Sequence, residues 1–260
     1  MEYDPAAYWS RVAEHVGARD PGDDWDLAGN SGPFDRYKRE LTLSRLRDLP
    51  VSGRAVLELG PGPGGNLRAL SAQRPSRLVG ADVAAGMLEL AARNTEGLGV
   101  ELVQLAGDDL LPFSDREFDT SLAVTVLQHN RTDVAARLVR ELARVTRSTL
   151  ALIEDTTRWR RRRHQGTYFV RRSDDYAAWV MAEGFELAGV TRMNLWVSER
   201  AWLLAHRMAA LTQTERFPEG APIARHERRL QTLFLGFTRR LDGWAPAVSG
   251  PTVMRFERRH

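Results

Sequence analysis

Four short apolar runs in the chain end in residues that can hold a ligand. Glu58, between Leu57 and Leu59, is followed by the turn Gly60-Pro61-Gly62-Pro63-Gly64-Gly65. Glycines leave the backbone uncovered, so a ligand can approach it closely. A helix starting near Gly64 or Gly65 would offer unpaired N–H groups to an anion or a polar nucleoside. Asp82 ends the run beginning at Arg77, where a carboxylate can accept both hydroxyls of a ribose. Gly107-Asp108 follows Val100 to Leu105, where a carboxylate can take an exocyclic adenine amine. Gln128, His129 and Asn130 close the run from Phe118. One pocket uniting the four would hold a whole adenosine-containing molecule. Gly60, Gly62 and Gly65 also satisfy G-x-G-x-x-G, which alone is weak because dinucleotide sites use the same turn.

Proton transfer needs a group that titrates near neutrality and reaches the acceptor. His129 is the candidate base; its alternative role is to shape the pocket or bond the backbone. Asp155, expected just past a strand ending at Ile153, is the second candidate. Its alternative is a cap or an ion pair with Arg158, and Glu154 has similar standing. Arg158, Arg160, Arg161, Arg162 and Arg163 fall in a crossover that can overhang a substrate mouth. Guanidinium groups match carboxylate and phosphate bidentately, so the run suits an acidic acceptor. A solvated face or contact with an RNA backbone are its other readings.

The elements that must position these groups follow from apolar periodicity. Residues 3–18 and 34–48 read as amphipathic helices separated by a Gly/Asp/Pro-rich loop, a helical preface. Strands are expected at 55–59, 77–81, 100–105, 118–127 and 148–153, with helices at 66–73, 84–94 and 132–146. That alternation predicts a parallel sheet with helices on both faces. Residues 156–172 read as a polar crossover, 174–183 as a helix, 184–194 as a strand, 199–212 as an apolar helix and 230–238 as a late strand. The division expected is an N-terminal helical lid over 1–50 and one cofactor-binding domain over 51–260, with substrate-side insertions at about 156–172 and 195–228.

Composition sets the bounds. The 260 residues are 43 % hydrophobic, enough for one sizeable core. The absence of cysteine excludes disulfides and thiolate metal sites. No run is apolar enough to span a membrane and the N-terminus lacks a secretory pattern, so a cytoplasmic protein without a membrane role is expected. The formal charge of +3, from 37 basic and 34 acidic residues, does not demand nucleic acid.

The segments V-L-E-L-G-P-G-P-G-G-N-L at 56–67, V-G-A-D at 79–82, G-D-D-L-L-P-F at 107–113, F-D-T-S-L-A-V-T-V-L-Q-H-N at 118–130 and G-F-E-L at 184–187 follow one another in a familiar order. With them the chain resembles the class I S-adenosylmethionine-dependent methyltransferases over roughly residues 50–195. The resemblance implies a Rossmann-like α/β fold, a seven-stranded, mostly parallel sheet whose last strand runs antiparallel; 230–238 is the candidate for that strand. It implies S-adenosyl-L-methionine as cofactor, with Glu58, Gly60, Pro61 and Gly62 along its methionine part and Asp82 on the ribose. Asp108 would face the adenine amine, with Asp109 and Leu110 beside the ring, and Leu127 and Gln128 would flank the reactive end. Tyr37 and Lys38 would form a lid, with Arg36 or Lys38 on the cofactor carboxylate.

The position after the fourth strand reads L-Q-H-N, without the D/N-P-P-Y/F of amino-methylating nucleic acid enzymes. The reading that follows is methyl transfer to oxygen or nitrogen of a small metabolite, such as a natural-product intermediate bearing an acidic group, with no metal. The alternatives are a tRNA or rRNA methyltransferase, an NAD-dependent oxidoreductase and a non-catalytic cofactor-binding protein. Trp159, Trp179, Trp196 and Trp202 are scattered as packing residues are, and the apolar helix at 199–212 is a candidate dimer contact.

Overall fold

The computed structural model describes residues 4–19, 26–28, 31–107, 109–157, 163–165, 168–210, 223–245 and 249–259. Its centre is a sheet of seven strands. In chain order these are β1 (Ala55–Leu59), β2 (Arg77–Asp82), β3 (Val100–Gln104), β4 (Phe118–Val124), β5 (Thr146–Thr157), β8 (Phe185–Arg192) and β9 (Ser249–Arg258). The strand order is β3-β2-β1-β4-β5-β9-β8. β9 runs antiparallel to both β5 and β8, and the other pairings are parallel. A two-stranded hairpin, β6 (Arg163–Gln165) with β7 (Tyr168–Val170), lies in the expected crossover.

Burial on both faces explains why the central strands are continuous apolar runs. Along β1, Val56 joins one core with Leu67, Leu78 and Leu122, while Leu57 and Leu59 join the other with Val139 and Leu142. α3 (Gly65–Ser71), α4 (Ala85–Asn94), α5 (Thr132–Val145) and α6 (Ser173–Ala182) link successive strands. α5 buries Ala135, Leu138, Val139, Leu142 and Val145, the spacing of one helical stripe.

Two helices precede the sheet. α1 (Pro5–Gly17) begins with a proline and is capped by Asp4 Oδ1, which accepts the Ala7 N–H at 3.2 Å. Val12, Ala13 and Val16 pack it on Met87 and Leu90 of α4. α2 (Pro33–Leu46) sends Leu46 into the core beneath β1 and Phe34 toward Leu195 and Leu235.

The expected late strand at 230–238 is instead part of a helix, α8 (Arg225–Asp242), which pairs with α7 (Trp196–Ala210). Its buried residues Glu227, Gln231, Leu235, Thr238 and Asp242 recur every three or four positions, a pattern no strand can bury on one side. The antiparallel strand is β9, where Thr252, Met254 and Phe256 are buried and alternate with Arg255 and Glu257. β5 also runs to Thr157, so Glu154 and Asp155 stand within the strand rather than past it.

Candidate active site

A cavity of about 890 Å³ opens over the carboxyl ends of β1, β2 and β4, walled on its other side by α1 and α2. The turn after β1 forms its floor. Gly60 and Gly62 have φ of +65° and +53°, a region that strains L side chains. A Cβ on Gly60 would lie 2.5 Å from Val126 Cγ2, so this turn stays bare. Gly60, Pro61 and Gly62 all line the cavity, as expected.

Asp82 also lines it, at the end of β2. Its Oδ1 accepts the Ala84 N–H at 3.0 Å and its Oδ2 faces the Gly62 N–H at 3.4 Å. Burial pushes the carboxyl up to about 6, against the pull of these N–H donors and that of Val83. It is therefore mostly ionised at neutral pH.

Glu58 does not line the cavity; it is buried beneath the turn. Its Oε1 accepts Asn66 Nδ2 at 2.6 Å, and burial raises the carboxyl to about 7. Asn66 does line the cavity, and its Oδ1 accepts from Arg39 Nη1. Arg39 Nε donates to Asp26 Oδ2 at 3.0 Å. Arg39 Nη2 is buried with no hydrogen-bond partner among the described residues. It lies so close to the glycine turn that a Cβ on Gly65 would sit 2.6 Å from it. An unsatisfied guanidinium nitrogen at this place suits a carboxylate.

Arg39 is absent from the sequence-based expectations, which named Arg36 or Lys38 for the role. Asp35, Lys38, Arg39 and Thr42 line the cavity from one face of α2, and their helical spacing is the signal that marks Arg39. Tyr37 falls on another face. Its ring packs under the Arg239 guanidinium at 4.3 Å, and it is not among the residues lining the cavity.

Across the cavity the polar groups converge on Asp155. Its Oδ2 accepts Lys38 Nζ at 2.8 Å and the Tyr168 hydroxyl at 2.5 Å, and its N–H donates to Gln128 Oε1 at 2.6 Å. Burial alone would raise the Asp155 carboxyl; Lys38, Tyr168 and His129 together hold it below its ordinary value. The His129 ring meets Trp9 edge-on, 5.0 Å between centroids, and lies 5.6 Å from the Tyr168 ring. Gln128, His129, Asp155, Lys38, Trp9 and Tyr168 all line the cavity. Trp9 and Tyr168 were not foreseen; they come from α1 and from the hairpin, far from the strand-end motifs.

Glu154 is a different case from Asp155. Its carboxylate is buried and accepts the N–H groups of Val126, Leu127 and Gln128 at 3.0, 2.9 and 3.1 Å. It holds the turn Leu127–His129 in place, and burial pushes it up to about 8. Leu127 points into the core instead of flanking the cavity. Asp109, with φ of +61°, and Leu110 line the cavity, and Asp109 Oδ2 accepts Arg137 Nη2 at 2.8 Å. Asp108, Arg158, Arg160, Arg161 and Arg162 lie outside the described residues, as does the side chain of Arg163. No three His, Asp or Glu side chains converge as a metal site requires, among the described residues.

Residues 56–149 match the family model described as a methyltransferase domain. A fatty-acid O-methyltransferase of Mycolicibacterium smegmatis (strain ATCC 700084 / mc(2)155) is 34 % identical over 119 residues, 45 % of this chain and 42 % of that protein. The chain spans less than half the length of the curated relatives it matches. Geranyl diphosphate C-methyltransferase of Streptomyces coelicolor A3(2), solved with Mg²⁺, geranyl diphosphate and S-adenosyl-L-homocysteine, superposes with a TM-score of 0.63 at 13 % identity, covering 99 % of this chain and all of that one. The [4+2]-cyclase SpnF superposes at 0.62 and 16 % identity, over 96 % of this chain and 93 % of its own. Residues 56–149 are thus a methyltransferase domain, carried in a chain that has the fold of these solved structures.

Proposed function

We propose that the protein transfers a methyl group from S-adenosylmethionine to an oxygen or nitrogen of a small-molecule acceptor. The observation that carries this reading is the single cavity of about 890 Å³ that joins the glycine turn and Asp82 on one side to the Asp155 cluster on the other. That volume is at the upper end of ligand pockets, about 300–1,000 Å³, and leaves space for two molecules. The bare turn at Gly60 and Gly62, the ionised Asp82 and the unsatisfied Arg39 nitrogen fit the cofactor's backbone-hugging methionine, ribose and carboxylate in turn. Asp108, Asp109 and Leu110 are the residues for its adenine.

When bound, the cofactor supplies an electrophilic methyl on a sulfonium, and the protein's share of the work is positioning and exclusion of water. α1 and α2 serve as the lid. Gln128, pinned by the Asp155 N–H, fixes the turn that carries His129. His129 receives the acceptor's proton, and Asp155, with Lys38 and Tyr168 on its Oδ2, stabilises the charge that the imidazole gains. Oxygen is favoured as the acceptor atom by the likeness to the fatty-acid O-methyltransferase. An acidic group on the acceptor remains the reading of Arg158 and Arg160–Arg163.

Labelled S-adenosylmethionine incubated with carboxylic, phenolic and amine acceptors tests the proposal. The expected result is label in an acceptor with stoichiometric S-adenosylhomocysteine. Cofactor binding with no transfer to any class would favour a non-methylating role on this fold, as in SpnF-like architecture.

A further inference from the structure

The outer face of α8 carries a surface that the methyl-transfer reading does not use. Leu233, Phe237 and Leu241 recur every four residues along α8, and Trp244 follows its end. Leu233 and Phe237 are 71 % and 70 % exposed and Trp244 is 91 % exposed. The fold does not need them, because α8 already buries Leu235 against Phe34 and Leu195.

Charge on the two helices is segregated. Arg229 and Arg240 flank the α8 stripe, and Arg200 and Arg207 are exposed on α7. The carboxylates point inward. Glu227 accepts Gln231 Nε2 at 3.1 Å and meets His206, and Asp242 accepts the N–H groups of Val197 and Ser198. Glu199 is half-buried, so no fully exposed carboxylate lies on either helix among the described residues. No helix here is long and apolar enough to cross a membrane.

We propose that this face docks on an anionic lipid surface, with Leu233, Phe237 and Trp244 in the headgroup boundary and the arginines on lipid phosphates. An apolar stripe with arginine flanks and a terminal Trp is the pattern of a helix lying in an interface. A second copy fits less well, because a two-fold contact through α8 would set arginine ends against arginine ends. Trp202 of α7 lines the cavity, so docking holds the cavity one helix away from the bilayer and any apolar acceptor dissolved in it.

Co-sedimentation of the full chain tests this, using vesicles of phosphatidylglycerol with phosphatidylcholine and of phosphatidylcholine alone. The chain should pellet with the first and not the second, less so at high salt. Arg229→Gln with Arg240→Gln should weaken partitioning roughly 30-fold. Leu233→Glu with Phe237→Glu should weaken it by at least about 30-fold. Both variants should keep the wild-type melting midpoint; if the second loses it, the arginine variant decides. Wild-type chain left in the supernatant, equal pelleting with neutral vesicles, or a dimer that Leu233→Glu with Phe237→Glu converts to monomer would each overturn the proposal.

Discussion

Lys38 Nζ and Asp155 Oδ2 lie 2.8 Å apart, tying α2 to the carboxyl end of β5 across the cavity. The pair is only 27 % and 14 % exposed, so it is weakly screened. Lys38, Tyr168 and His129 hold the Asp155 carboxyl below its ordinary value despite its burial, Lys38 most of all. Replacing Lys38 by Met should cost about 1–3 kcal/mol of stability in chemical denaturation, the part-exposed range below a fully buried pair. It should also raise the Asp155 carboxyl toward or above its ordinary value and move the acid limb of the pH–rate profile upward. An unshifted limb would mean that Asp155 takes no part in turnover.

Arg39 and the cofactor carboxylate supply a second prediction. A charge-assisted bond to a buried partner is worth about 1.5–3 kcal/mol, so Arg39→Ala should weaken S-adenosylhomocysteine binding roughly 10- to 100-fold by calorimetry. 5′-Methylthioadenosine, which lacks the carboxylate, should bind wild type and variant alike. Equal weakening of both ligands would assign Arg39 to holding Asn66 and the turn instead.

The contrast between these two residues shows what the sequence can and cannot disclose. Gly60, Gly62 and Asp82 were legible because each sits where a strand ends, and strand ends are marked by an apolar run meeting glycine or a carboxylate. Arg39, Trp9 and Tyr168 were not, because they reach the cavity from elements distant in sequence whose packing decides which face turns inward. Tyr37 was misplaced for the same reason, one residue being enough to rotate a helical side chain off the cavity. β9 was overlooked in favour of 230–238 because L-Q-T-L-F-L-G-F-T is dense in β-favouring side chains. The T-V-M-R-F-E alternation of the true strand was masked by its arginines. Tertiary burial, not local propensity, chose between them.

His129 is the most direct test of chemistry. Because its ring is wedged between Trp9 and Tyr168, His129→Gln keeps much of the volume while removing the titrating group. Turnover on a hydroxyl acceptor should fall about 10²- to 10⁴-fold with little change in cofactor affinity. Tyr168→Phe should cost less, since Lys38 still satisfies Asp155 Oδ2. A His129 variant with unimpaired kcat would remove it from the proton path.

Glu58 and Glu154 make stability depend on pH in a stated direction. Burial lifts their carboxyls from 4.5 to about 7 and about 8 in the folded chain. The folded state therefore holds protons that the unfolded chain has released above its ordinary carboxylate range. Stability is then greatest near the unfolded value and declines as pH rises from about 5 to 8, by at most about 1.4 kcal/mol per pH unit for each group. Thermal unfolding of cofactor-free protein at pH 6, 7 and 8 should give a falling midpoint. Glu58→Gln keeps the acceptor for Asn66 Nδ2 and should flatten the lower part of that decline. Glu154→Ala should instead destabilise at every pH, because the buried N–H groups of Leu127 and Gln128 and the half-buried one of Val126 lose their acceptor, at about 1–3 kcal/mol for each buried group. A midpoint that stays level or rises between pH 6 and 8 in wild type would count against raised values for both carboxyls.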